Sequence, residues 1–267
     1  MTSLVQRRDY LAGQRRTILA RSIAGSIAGA VPLPFLDDWA IERIVGGGYK
    51  LIAHAQHVDI DDQAVKALVH GATPPPSIVD IATGGVLLRV ATRATRRMLL
   101  ALAAINRARS AARTFVAMTL FDHYCAKLHT GLALDGPTAL ALREEIDRTI
   151  DNTPGALSFH PFRRAALTAA RATLRAPLEL ADLASGGGLR RLLARKSESD
   201  VTDGEAVDDV DAAIDTALAN QSSFLGRTVT AVETQLSSEV NPFLDAAIES
   251  LDRRWRARIA VQRGPKP

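Results

Sequence analysis

His54 and His57 lie three residues apart, and Asp59, Asp61 and Asp62 follow directly. Imidazoles at i and i+3 share a helix face, and carboxylates just beyond can complete the shell of a divalent metal. The glutamate of a zinc-protease helix is missing, and His70 belongs to no motif. The pair stands as metal candidates against the plainer reading of polar residues at a helix end. A second chemically rich stretch, FDHYCAKLH, gathers Asp122, His123, Cys125 and His129. A cysteine beside a histidine can form a nucleophile pair. Residues two apart on a helix point in different directions, so a buried thiol and a partly exposed histidine are expected instead.

Other catalytic signatures are missing. Neither Gly46–Gly48 nor Gly186–Gly188 is followed by the Gly-Lys-Ser/Thr that holds phosphate and magnesium. No Gly-x-Ser-x-Gly elbow is present. The acidic stretch 198–215 lacks the glycine and terminal glutamate spacing of an EF-hand loop. No catalytic residue and no cofactor are therefore expected, and the leading reading is a binding protein that is not an enzyme.

The elements that position these residues read as helices. Aromatics are only 4% of the chain, so the core must be built from Ala, Leu, Ile and Val. Ala and Leu are strong helix formers, and no alternating strand pattern of any length appears. The expected fold is all-α: a helical bundle built on a Gly/Ala-rich N-terminal helical hairpin. Its first helix spans roughly 3–30, where SIAGSIAG sets Gly25 and Gly29 four apart and lets a partner helix approach closely. Pro32 and Pro34 end it, because proline removes a donor and restricts its predecessor. Asp37 or Asp38 can cap a second helix over about 39–57. Gly46, Gly47 and Gly48 inside that helix each cost about 1 kcal/mol against alanine. They imply close packing on the first helix or a local break.

A short helix after Asp59–Asp62 is followed by the break GATPPPS. One long helix, or two in series, is expected over about 77–130, and another over 138–151. Further helices are expected at about 162–184, 189–196, 205–236 and 239–258. The single cysteine rules out an internal disulfide and fits a reducing compartment. Glu198 to Asp215 carries eight acids and no base, and its first part reads as a linker. The expected organisation is a hairpin and bundle domain at 1–197, an acidic linker at 198–204, a C-terminal helical pair at 205–258 and a disordered tail at 259–267.

Charge points to partners. Between Asp80 and Asp122 stand seven arginines and no acid. Arg89, Arg93, Arg96, Arg97 and Arg107 fall within about 100° of one another on a helix. Such a face suits anionic lipid at about 1 kcal/mol per basic residue, a protein partner, or acids of the same chain. Nucleic acid is disfavoured, because no aromatics interleave the face and no recognition motif accompanies it. Trp255, among Arg253, Arg254, Arg256 and Arg258, suits a membrane interface or an ordinary helix end. The charge-free run Ser22–Leu36 is fifteen residues and contains the turn, so neither arm reaches the ~20 residues of a spanning helix.

The stretch AVPLPFLDDWAIERIVGGGYKLIAHAQHVDIDD, after its small-residue helix, resembles two bacterial groups: the EcsC-type proteins and the YcjF-type inner-membrane domain. The matching positions are Gly25, Gly29, Pro32, Pro34, Asp37, Tyr49, Asp59, Asp61 and Asp62. Those families usually carry a second apolar, glycine-rich segment. Its counterpart here, 86–121, holds the seven arginines instead. The resemblance implies association with the cytoplasmic side of the inner membrane, peripheral or partly inserted, and no catalytic residues.

Overall fold

The computed structural model describes residues 9–28, 37–72, 93–153, 224–238 and 242–262, with Phe162, Ala212, Ile214, Thr216 and Ala219 as single positions between them. The described residues are all-α apart from one two-stranded ribbon. A 3₁₀ turn, Asp9–Leu11, precedes α1 (Arg15–Ala28) and α2 (Asp37–Ala55). Strand β1 (Asp59–Ile60) leads to α3 (Asp62–His70). The long α4 (Arg93–Lys127), β2 (Ala133–Leu134), α5 (Gly136–Asn152), α6 (Phe224–Ser238) and α7 (Pro242–Gln262) follow. Gly29, Pro32 and Pro34, the acidic linker, the tail and the helices expected at 162–196 lie outside the described residues.

Helix α1 packs on α2, α4 and α6. Helix α2 also packs on α3 and α4, α3 on α5, and α7 on α5 and α4. The hairpin helices supply the centre of the core: Ile18, Leu19, Ile23 and Ala24 from α1 and Ile44, Val45, Tyr49 and Ile52 from α2 are all buried. Each buried Ile or Leu side chain stabilises the fold by about 1.5–3 kcal/mol.

Helix α2 runs unbroken through its three glycines, so no local break exists there. All three are buried, but they do not share one neighbour. A Cβ on Gly46 would meet Val65 Cγ1 of α3 at 2.8 Å. One on Gly48 would meet Met118 Cε of α4 at 2.7 Å and Arg21 Cδ of α1 at 2.8 Å. The hairpin contact itself uses Gly25 of α1, whose Cβ would lie 2.8 Å from Val45 Cγ2. Packing of α2 on α1 alone is thus corrected to packing against α1, α3 and α4 together.

The short parallel ribbon pairs Asp59 with Ala133 and Ile60 with Leu134. Strands of two residues leave no alternation to read, which is why the sequence does not show them. The ribbon also exposes an internal likeness. The α2–β1–α3 and α4–β2–α5 units each run from a helix through a bridge to an aspartate cap. Asp61 (φ −86°, ψ 166°) accepts from Ala64 N, and Asp135 (φ −85°, ψ 163°) accepts from Thr138 N. In each first helix a buried tyrosine precedes a histidine by five positions: Tyr49 and His54, Tyr124 and His129.

Candidate functional site

The C-terminal third of α4 holds a dense group of polar side chains inside the bundle. The apolar neighbours Phe121, Met118 and Leu120 bury that helix against α1, α2 and α7. The segment is the FDHYCAKLH stretch, and its members face different partners.

His123 is 4% exposed. Its Nε2 lies 2.7 Å from Asp252 Oδ1 of α7, and its Nδ1 lies 2.6 Å from the Tyr10 hydroxyl in the 3₁₀ turn. A carboxylate only accepts, so Nε2 carries a proton; in the neutral tautomer this leaves Nδ1 to accept from the Tyr10 hydroxyl. Lys127 Nζ stands over the Tyr10 ring, 5.0 Å from its centroid. Arg256 Nη2 reaches Asp252 Oδ2 at 3.8 Å.

Asp122 is fully buried. Its Oδ1 accepts from Gln56 Nε2 at 2.7 Å, while its Oδ2 has no hydrogen-bond partner among the described residues. Burial pushes this carboxyl above the ordinary value, and the Gln56 bond opposes the shift in part. Cys125 is buried and free, and burial with the nearby Asp122 charge pushes its thiol far up. It makes no pair with His123, whose ring is engaged by Tyr10 and Asp252. The thiol is buried as expected, but His123 is buried too rather than partly exposed.

Tyr124 stacks edge-on against Trp255, with ring centroids 5.1 Å apart. Its hydroxyl meets His129 Nδ1 at 3.3 Å. Burial holds the His129 imidazole below its ordinary value. Trp255 is itself buried and lies seven residues before the end of α7, so it is a core residue rather than a membrane-interface ring or a helix-end residue.

His54 and His57 are brought together elsewhere, at the end of α2. Both are exposed and line an open cleft of about 590 Å³ with Lys50, Leu51, Val58, Asp59 and Ile60. The helix ends in a Schellman motif: Val58 N donates to Ala53 O at 2.9 Å, and His57 N donates to His54 O at 3.1 Å. His57 occupies the left-handed position at φ 58°, where glycine is usual. Lys50 is bonded to Asp62 at 2.7 Å. Among the described residues no three His, Cys, Asp or Glu side chains are grouped to hold a metal ion.

Of the arginine face, Arg93, Arg96, Arg97 and Arg107 are residues of α4 whose side-chain surroundings lie outside the described part. Arg89 lies outside it altogether. Arg113, further along the same helix, is taken up internally. Its guanidinium bonds Asp151 at 2.8 Å and Asp147 at 2.9 Å on α5. Asp147 also bonds Arg143 Nε at 2.8 Å, and Arg143 Nη1 donates to the Leu68 carbonyl at the end of α3.

Sequence reasoning missed Tyr10, Gln56 and Asp252. Each is a single polar residue on a predicted helix, and no local spacing links positions 10, 123 and 252. No family model, curated protein or solved structure matches this chain.

Proposed function

We propose that this chain is a non-catalytic helical-bundle protein that attaches to an anionic membrane surface from one side while keeping its N-terminal hairpin inside its own core. The observation that carries the reading is the burial of α1 and α2 against α3, α4 and α6. A hairpin whose apolar side chains are already covered has nothing to gain from lipid. Among the described residues no helix is long and apolar enough to cross a membrane. Attachment then falls to charge, and Arg89, Arg93, Arg96, Arg97 and Arg107 supply it in a stretch without acids. The resemblance to EcsC-type and YcjF-type proteins supports a membrane-linked role. No residue of this reading needs a cofactor.

Flotation with vesicles of mixed anionic and zwitterionic lipid tests it. The protein floats with anionic vesicles at low salt, is released at high salt, and stays unbound on purely zwitterionic vesicles. Failure to float with anionic vesicles at low salt rejects the reading. A second reading is an adaptor for a protein partner. It is favoured by Arg113, which shows that carboxylates of a packed helix can take up arginines of this stretch. In that case flotation is absent and the protein is monodisperse without detergent.

A further inference from the structure

The chain Asp252–His123–Tyr10 has no counterpart in the proposed function and does not depend on it. Its three members come from the 3₁₀ turn, α4 and α7. They stand in the order carboxylate, imidazole, hydroxyl, with separations of 2.7 and 2.6 Å. That order is the role set by which a weak hydroxyl becomes a nucleophile: a base in hydrogen-bond contact takes its proton, and a carboxylate orients the base and stabilises the cation that forms. The hydroxyl here is a phenol, intrinsically more acidic than a serine alcohol. The Lys127 ammonium over its ring adds a fixed positive charge that favours the phenolate. Tyr10 is half-buried, whereas the other two tyrosines, Tyr49 and Tyr124, are 1% and 2% exposed.

We propose that Tyr10 is a base-activated phenol that accepts an acyl group from an activated acyl donor, with His123 taking its proton and Asp252 holding the ring. The Tyr10 Oη–acyl carbon bond forms and the bond from that carbon to the leaving group breaks. The phenolic proton passes to His123 Nδ1, and the leaving group departs with its electron pair. The imidazolium that results donates through Nε2 to the Asp252 carboxylate. Asp252 is a positioning residue, because it acts through His123. The product is a modified tyrosine, so the step describes a modification site and needs no turnover.

The test treats the full-length chain with p-nitrophenyl acetate and locates acetyl groups by peptide mass spectrometry. Hydroxylamine lability separates O-acetyltyrosine from acetyl-lysine, including any at Lys127. Tyr10 is expected to acetylate, with Tyr49 and Tyr124 unmodified as internal controls. His123→Ala is expected to slow acetylation of Tyr10 by about 100-fold, the usual contribution of a positioned base. Asp252→Asn is expected to slow it by about tenfold or more, because the ring loses its orienting acceptor. Tyr10→Phe keeps the ring under Lys127 and abolishes the hydroxylamine-labile product. No acetyl on Tyr10, or equal rates in wild type and His123→Ala, overturns the proposal. Should His123→Ala not fold, as judged by circular dichroism, Asp252→Asn decides by the same rule: an unchanged rate overturns it.

Discussion

Replacing Gly46 by alanine gives opposite signs under two accounts of the glycine run. If the glycines only weaken α2, alanine stabilises the helix by about 1 kcal/mol. The packing argues otherwise. The added Cβ would lie 2.8 Å from Val65 Cγ1 and 3.7 Å from Val69 Cγ2. Carbon atoms rest at about 3.5–4.0 Å, so one side must retreat by roughly 0.7 Å or more. Valine is stiff at χ1 on a helix and cannot swing its methyl away cheaply. Helix α3 must move as a body instead. Its start is pinned by the Asp61 cap, and its end by the Arg143 bond to Leu68 O. Overpacking of this kind costs about 1–3 kcal/mol. Set against the propensity gain, Gly46→Ala is expected to destabilise by a net cost of up to about 2 kcal/mol.

Urea unfolding followed by circular dichroism reads this as a lower midpoint at unchanged slope. Val65→Ala removes the obstructing methyl, so the double variant is expected to lose about 1–2 kcal/mol less than the sum of the two singles. Gly13→Ala is the control: that glycine is exposed, and a Cβ added there would meet nothing within 4 Å. It should change stability by no more than about 0.5 kcal/mol. A raised midpoint for Gly46→Ala, or strict additivity with Val65→Ala, refutes the reasoning.

Three further outcomes follow from single side chains. His57→Gly relieves a left-handed residue at the end of α2 and is expected to stabilise by about 0.5–1 kcal/mol in the same unfolding assay. Asp122→Asn keeps an acceptor for Gln56 and removes a carboxyl whose folded pKa lies above its ordinary value of 3.8. The wild-type folded state therefore binds more protons than the unfolded state in the window above that value, and its stability falls as pH rises through it. The advantage of the asparagine variant over wild type is expected to grow with pH from about 4 and then level off; a difference independent of pH, measured by thermal unfolding, contradicts the assignment. Cys125 is expected to ignore a thiol reagent such as DTNB while the protein is folded and to react with one equivalent after denaturation, since the thiolate is suppressed by burial.

The elements legible in the sequence are those whose signals are local. Apolar spacing and breakers place α2, α3, α5 and α7 to within a few residues, whereas the first helix, expected from about residue 3, begins only at Arg15 after a 3₁₀ turn. What was not legible is set by distance along the chain. Nothing near Gly46 announces that Val65 will sit over it, and nothing near Trp255 announces Tyr124. The arginines around Trp255 suit a membrane interface or a helix end, and neither places the ring in the core. Arg253 and Arg256 are exposed, Arg258 bonds Glu144 and Glu145 of α5, and the indole between them is buried. The repeated order of tyrosine, histidine and capping aspartate is hidden in the sequence, because only the five-residue Tyr–His step is kept and the step to the aspartate is seven residues in one copy and six in the other. It becomes visible once β1 and β2 are seen to pair.

Arg21 bears most directly on whether the hairpin belongs in lipid or in protein. The charge-free run begins at Ser22, and counting from there makes the segment look like an apolar unit bounded by charge. The buried face of α1 begins earlier, at Ile18, and passes straight through Arg21, which is fully buried. Its Nη1 donates to the Ile44 carbonyl at 3.1 Å, and its methylenes lie in the space that Gly48 leaves open. A guanidinium in hydrocarbon costs several kcal/mol even when it snorkels. Inside the bundle the same group supplies a charge-assisted hydrogen bond between the two arms of the hairpin. Drawn into lipid, the hairpin would keep that bond but lose the Met118 side of the Gly48 contact and the cover of α3, α4 and α6. The small residues fit both environments, and the buried arginine fits only one.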